Sequence, residues 1–183
     1  MNREDFPILK SNIIYFDNGA TTLKPYILSD SLTDYYNNYS ANAHRGDYSI
    51  SYKVDVAVDG VRRKVSEFIN ANYEEIIFTS GTTASINLLA NTIGGVLLKE
   101  GEVMLITEGE HHSNIVPWQI LTQRIGAKLI YLPVDESGQW EMGQLDTLFE
   151  KENIKFVSAA HISNVLGLVN PIEIIIEKCH LMD

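Results

Sequence analysis

A single cysteine, Cys179, stands among 183 residues. One thiol excludes an internal disulfide framework and fits a reducing compartment. Basic residues are also scarce: 14 Lys and Arg face 24 Asp and Glu, a formal charge of −10. That balance argues against a sequence-independent grip on nucleic acid or on an anionic membrane surface, which needs basic excess. No apolar stretch approaches membrane-spanning length. The first ten residues, MNREDFPILK, are mixed in charge and hold no apolar run of signal length. They also lack the Arg- and Ser-rich, acid-free character of a transit peptide. The expectation is a cytoplasmic protein. Internal repeats and low-complexity tracts are missing as well. What is there is ordinary globular composition, 45% hydrophobic and 21% charged. The chain is long enough for one domain with a real core and a smaller appendage.

The most informative stretch is Glu75 to Ala90, EIIFTSGTTASINLLA. Glu75 to Thr79 is a short apolar run that reads as a buried strand. Ser80-Gly81-Thr82-Thr83 breaks it, and Ile86, Leu89, Ala90, Ile93 and Leu97 then recur at helical spacing. A helix starting on Gly-Thr-Thr aims free N–H groups, the positive end of its dipole and two hydroxyls at one spot. By itself the turn reads equally as a plain N-cap or as an anion cup.

Residues 1 to 14 read as a lead-in helix or loop, and the run Ile13 to Phe16 stops at the turn Asp17-Asn18-Gly19. Leu28, Leu32, Tyr35 and Tyr39 mark a helix, followed by a polar loop from Ser40 to Tyr52. Val58, Val61, Val65, Phe68 and Ile69 mark a long amphipathic helix ending near Asn70-Ala71-Asn72. Further strands are expected at Val103 to Thr107, Ala127 to Val134 and Lys155 to Ala160. Helices are expected over Ile115 to Ile125, around Leu145 to Phe149, and after Pro171. Four alternations of strand and helix imply an α/β chain with a mainly parallel sheet covered on both faces. The last helix stops at Asp183 with no strand after it, so the expectation is a truncated chain.

Ligands of open α/β sheets gather at the carboxyl ends of strands. Three of the four expected strands end in polar clusters: Ser80-Gly81-Thr82-Thr83, Glu110-His111-His112-Ser113-Asn114 and His161-Ile162-Ser163-Asn164. They offer a phosphate cup, an imidazole and an amide, which suits an aromatic phosphorylated cofactor. A metal site built on His111, His112 and His161 is not expected, because no Cys or acidic partner has ligand spacing. Asn164 also reads as a plain turn residue. The tyrosines at 35, 36, 39, 48 and 52 read as core and interface.

Five segments, YFDNGATT, NAHRGDY, IIFTSGTTASINLLA, ITEGEHHSNIVPW and HISNVLGLVNP, resemble the pyridoxal-phosphate (PLP) enzymes of the class V aminotransferase family. The nearest match is the cysteine desulfurase / selenocysteine lyase branch. The resemblance runs in register from about Tyr15 to Asp183. It implies PLP-dependent transferase fold type I. The parts would be an N-terminal arm and substrate-side loop (1–25), a helical segment (26–72) and the first part of the PLP-binding large domain (73–183). It places Gly81, Thr82 and Thr83 at the phosphate, His111 against the pyridine ring with a part in proton transfer, and Asn164 at the ring hydroxyl. Gly19 and Ala20 match the small loop beside the substrate, where alanine is usual at the first position. His44 and Arg45 match a loop near the site mouth and dimer interface.

The resemblance also implies what these 183 residues lack. The Schiff-base lysine lies in a later Ser-Gly-His-Lys motif. The aspartate facing the pyridine nitrogen, the nucleophilic cysteine and the substrate-gripping arginine also lie later. Asp183 falls about six residues too early for that aspartate, by the family's spacing. Cys179, on an apolar helical face, reads as core. The implied activity is conversion of L-cysteine to L-alanine with sulfur passed to a protein cysteine, in a typically homodimeric enzyme that hands sulfur to an acceptor protein. Selenocysteine lyase is the alternative within the family. A non-catalytic fragment that binds phosphate compounds or pairs with a full-length subunit is the alternative outside it.

Overall fold

The computed structural model describes residues 2–181, so Asp183 lies outside the described residues. The chain divides into two compact units, Met1–Phe78 and Thr79–Asp183.

The first unit is helical. Two 3-10 turns, Arg3–Asp5 and Pro7–Ser11, form the lead-in. Helix α1 spans Tyr26–Asp34 and runs on into a wide π-helical turn, Tyr35–Tyr39. Helix α2 spans Ser49–Phe68. It begins inside the stretch expected as loop, because Ser49, Ser51 and Tyr52 join its first turn. The Ser51 hydroxyl donates to the Asn42 carbonyl at 2.9 Å and ties the preceding loop to the helix. Tyr35 and Tyr39 are half-buried. Tyr36, Tyr48 and Tyr52 are 69%, 56% and 70% exposed, so of the expected core and interface tyrosines these three lie outside the core of this chain.

Glu75 to Thr79 is not a strand. A 3-10 turn covers Tyr73–Glu75, and the following residues pair with no strand among the described residues. A strand exists only through a ladder partner, and here the Ile76 carbonyl is taken by the Arg62 guanidinium from α2. The same guanidinium sits over the Phe78 ring, 5.1 Å from its centroid. Ile76 is buried, while Ile77 and Phe78 are 72% and 51% exposed.

The second unit is the α/β part. Helix α3 spans Thr82–Leu89, passes through a π-helical turn, Ala90–Gly94, and ends in the single turn α4, Gly95–Leu97. Three strands follow: β1 Val103–Thr107, β2 Lys128–Leu132 and β3 Ile154–Ser158. They form one parallel sheet in the order β2-β1-β3. Helix α5, Val116–Ile125, joins β1 to β2, helix α6, Met142–Lys151, joins β2 to β3, and helix α7, Ile172–His180, follows β3. The expected parallel sheet is therefore present with three strands, each within a few residues of its expected bounds.

Strand β1 is central and all five of its residues are buried, as a strand covered on both faces requires. Its side chains alternate between two cores. Val103 and Leu105 join Leu132, Leu145, Phe149, Ile154 and Ile175 on the face of α6 and α7. Met104 and Ile106 join Ala90, Leu98, Trp118 and Leu121 on the face of α3, α4 and α5. Cys179 packs against the first of these clusters, as its helical face led one to expect.

Candidate functional site

The order β2-β1-β3 sets the geometry of the site. From β1 the chain crosses to β2 on one side, then returns past β1 to β3 on the other. The loops after β1 and β3 therefore diverge from neighbouring strand ends, which is where open α/β sheets form their ligand crevice. The β1 loop carries His111 and the β3 loop carries Asn164. The 3-10 turn His112–Asn114 of the first loop packs against α3, whose first residues are Thr82 and Thr83. The helix opened by the Gly-Thr-Thr turn therefore packs against the loop that follows β1.

Gly81 is the N-cap of α3, with φ 149° and ψ 178°. That φ disfavours any side chain, and nothing lies within 4 Å of where a Cβ would be. Being glycine, it gives the helix no side-chain cap. The turn is pinned from behind: the Thr79 and Ser85 hydroxyls meet at 2.7 Å, and Ser85 N–H donates to the Gly81 carbonyl at 3.0 Å. Among the described residues, the N–H groups and hydroxyls of Thr82 and Thr83 have no hydrogen-bond partner, and both residues are exposed. The result is an open cradle of donors at the positive end of a helix.

His111 is exposed but held. Its Nδ1 accepts from Ser113 N–H at 3.1 Å and lies 2.8 Å from the Ser113 hydroxyl. With Nδ1 an acceptor, the proton of the neutral ring sits on Nε2. The His112 ring lies edge-on, centroids 6.2 Å apart.

Asn164 sits at the tip of a tight loop. Ser163 N–H donates to the Leu168 carbonyl and Gly167 N–H to the Ser163 carbonyl, each at 2.9 Å. The Ser163 hydroxyl accepts from Leu166 N–H at 3.1 Å, and Gly167 takes φ 68°. The Asn164 amide is exposed and makes no hydrogen bond among the described residues.

Gly19, Ala20 and Arg45 belong to the first unit. Gly19 and Ala20 form an exposed turn closed by Ala20 N–H to the Asp17 carbonyl at 3.2 Å, with the Tyr15 hydroxyl donating to the Thr21 carbonyl at 2.6 Å. Arg45 is exposed on a loop whose neighbour His44, at φ 60°, donates its N–H to the Asp55 carboxylate at 2.5 Å.

Sequence reading passed over Glu110, Asn114 and Trp118 as functional residues. Glu110 accepts from the Thr107 hydroxyl at 2.7 Å, from Asn114 Nδ2 at 2.8 Å and from Ala160 N–H at 2.8 Å. Their spacing of four was the available signal, since residues so spaced face one another across a helix start.

The Aminotransferase class-V family profile matches residues 14–183. The chain belongs to that family. It is 42% identical to a probable cysteine desulfurase of Streptomyces coelicolor, over 96% of this chain and 44% of the relative. The cysteine desulfurase of Thermococcus onnurineus, solved in its apo form, superposes with a TM-score of 0.90 at 35% identity, over 97% of this chain and 44% of that one. A more distant fold relative is a C-DES variant with glycine covalently linked to its PLP cofactor. It is 21% identical with a TM-score of 0.81, over 99% of this chain and 46% of its own, and at that identity it carries the fold alone. The chain therefore spans less than half the length of these relatives. Among the described residues, no helix is long and apolar enough to cross a membrane.

Proposed function

We propose that this chain is the cofactor-binding N-terminal part of a cytoplasmic, PLP-dependent cysteine desulfurase. The complete enzyme would convert L-cysteine to L-alanine and pass the sulfur to a protein cysteine. What supports the reading is the open Gly81-Thr82-Thr83 cradle, with the N–H groups and hydroxyls of both threonines unengaged, at the start of a helix that packs against the turn following His111.

The residues fit the cofactor. A phosphate monoester needs several donors and a positive potential, and the start of α3 supplies both with its N–H groups and hydroxyls unengaged. A pyridine ring needs a flat partner, and the His111 ring is exposed and fixed in plane by Ser113. A ring hydroxyl needs a partner such as the exposed amide of Asn164. Bound PLP supplies an electron sink for bond breaking at the substrate α-carbon.

In this reading Thr82 and Thr83 anchor the phosphate by N–H and hydroxyl. His111 sets the plane of the ring and keeps its proton on Nε2, the atom from which it could be given up. Asn164 fixes the ring's rotation. Gly19, Ala20 and Arg45 stand on the substrate side, His111 is the catalytic residue among them, and the working form is a homodimer with a sulfur-acceptor protein. The arm of residues 1–25, the helical segment 26–72 and the large-domain portion 73–183 belong to the same reading. The residues that would hold the amine and attack the sulfur lie outside these 183, so the chain alone is expected to be inactive.

The test is to express the complete reading frame, purify the protein and assay it with L-cysteine. A bound cofactor with visible absorbance, and alanine and sulfide released in step, are expected. A folded complete protein with no cofactor band and no alanine would overturn the proposal.

A further inference from the structure

The loops after β1 and β3 are joined by a polar chain whose donors and acceptors can be ordered in only one way. Trp118 Nε1 can only donate, and it donates to Asn114 Oδ1 at 2.8 Å. The Ser158 hydroxyl donates to the same oxygen at 2.7 Å. The Asn114 amide is thereby fixed with Nδ2 toward Glu110, where it donates to Oε2 at 2.8 Å. Glu110 Oε1 accepts from the Thr107 hydroxyl and from Ala160 N–H. On its other side, the Ala160 carbonyl accepts from Asn170 Nδ2 at 2.7 Å. Glu110 therefore faces three donors, and both of its oxygens must accept.

We propose that Glu110 is a positioning residue for the cofactor site, its carboxylate holding the His111 loop in alignment with the Asn164 loop. This rests on the reading of His111 and Asn164 as cofactor contacts. Glu110 is the immediate neighbour of His111, and its bond to Ala160 spans fifty positions of chain. Ala160 opens the loop whose tip is Asn164. The two contacts on the cofactor ring are then set by one carboxylate rather than by two separate loops.

The polarity of the chain gives a demanding test. In E110Q, the new amide turns its NH₂ either against Asn114 Nδ2 or against the Ala160 N–H, which, unlike the Thr107 hydroxyl, cannot turn to accept. Turning Asn114 to relieve the first clash would aim its NH₂ at Trp118 Nε1, which cannot accept. Every arrangement leaves a donor of this half-buried chain unmatched. In N114D, two carboxylates face each other. Joining the two changes restores the order. The amide NH₂ introduced at position 110 would donate to the carboxylate introduced at position 114, and the amide carbonyl would accept from Thr107 and Ala160. The carboxylate at position 114 would still accept from Trp118 and Ser158.

The experiment compares wild type, E110Q, N114D and the E110Q/N114D double variant of the complete protein. It reads hydrogen exchange at the Ala160 amide in the cofactor-free form, and the Kd for PLP. Each single variant is expected to speed that exchange and to weaken PLP binding by about tenfold. The double variant is expected to return both to within about twofold of wild type. Should the single variants fail to fold, a folded double variant with wild-type exchange supports the proposal and an unfolded one overturns it. Unchanged exchange in E110Q, or a double variant no better than the singles, would overturn the clamp even where wild type binds PLP normally. A wild type that binds no PLP would overturn the cofactor role through the functional reading instead, and a restored exchange in the double variant would mark that as the failure.

Discussion

Gly60 and Gly94 both sit inside helical segments, and the same substitution is expected to move stability in opposite directions. Gly60 lies within α2 and has nothing within 4 Å of where a Cβ would be. Gly94 closes the π-helical turn between α3 and α4 at φ −57° and ψ −42°, backbone that any residue adopts. A Cβ there would stand 2.8 Å from Leu121 Cδ2 and 3.1 Å from the Trp118 ring. Both side chains are 1% exposed, so neither has space to retreat. Replacing either glycine by alanine gains about 1 kcal/mol from helix propensity. That gain is common to both, so the difference between the variants isolates the clash. Overpacking a filled core costs about 1–3 kcal/mol. G94A should therefore be less stable than G60A by about 1–3 kcal/mol, a gap in Tm of about 2–12 °C for a chain of this size. Thermal unfolding followed by far-ultraviolet circular dichroism measures both, and G60A should melt at or above wild type. A G94A variant as stable as G60A would refute the packing of Gly94 on Leu121 and Trp118, and with it the seat of the helical run that begins with α3.

Two further outcomes follow from the second unit. The Asp135 carboxyl is held below its ordinary value, first by the Ser137 hydroxyl and then by the Gln139 N–H. A lowered carboxyl stabilises the fold above its unfolded value and loses that effect as pH falls through the folded one, so S137A should raise the Asp135 pKa in an NMR titration and make the fold yield to acid earlier. Leu145 is fully buried in the core beneath β1, so L145A should cost about 2–5 kcal/mol in denaturant unfolding.

Much of this arrangement could be read before the structure, because local pattern and tertiary packing agree. The residues of β1, four of them apolar, are legible as a buried strand, and the sheet buries all five. The polar clusters at 110–114 and 161–164 are legible as strand-end loops, and the order β2-β1-β3 brings them to neighbouring strand ends. The failures come from contacts that sequence does not carry. Glu75 to Thr79 has the composition of a strand, but a strand is a pairing, and Arg62 of α2 holds the Ile76 carbonyl instead. The start of α2 at Ser49 was hidden by a polar first turn that local propensity reads as loop. Glu110 was visible as one member of a cluster, yet its role depends on Ser158 and Ala160, reached only through the crossover to β3.

The central claim is that the start of α3 is the phosphate end of a PLP site. The most direct measurement is the Kd for PLP of the complete protein carrying T82V and T83V, singly and together. Both residues are exposed, valine keeps their shape, and neither hydroxyl supports the fold among the described residues. Hydrogen bonds to a charged group are worth about 1.5–3 kcal/mol, so each variant should bind PLP about tenfold to a hundredfold more weakly, with unfolding unchanged. Wild-type affinity in the double variant would contradict the account.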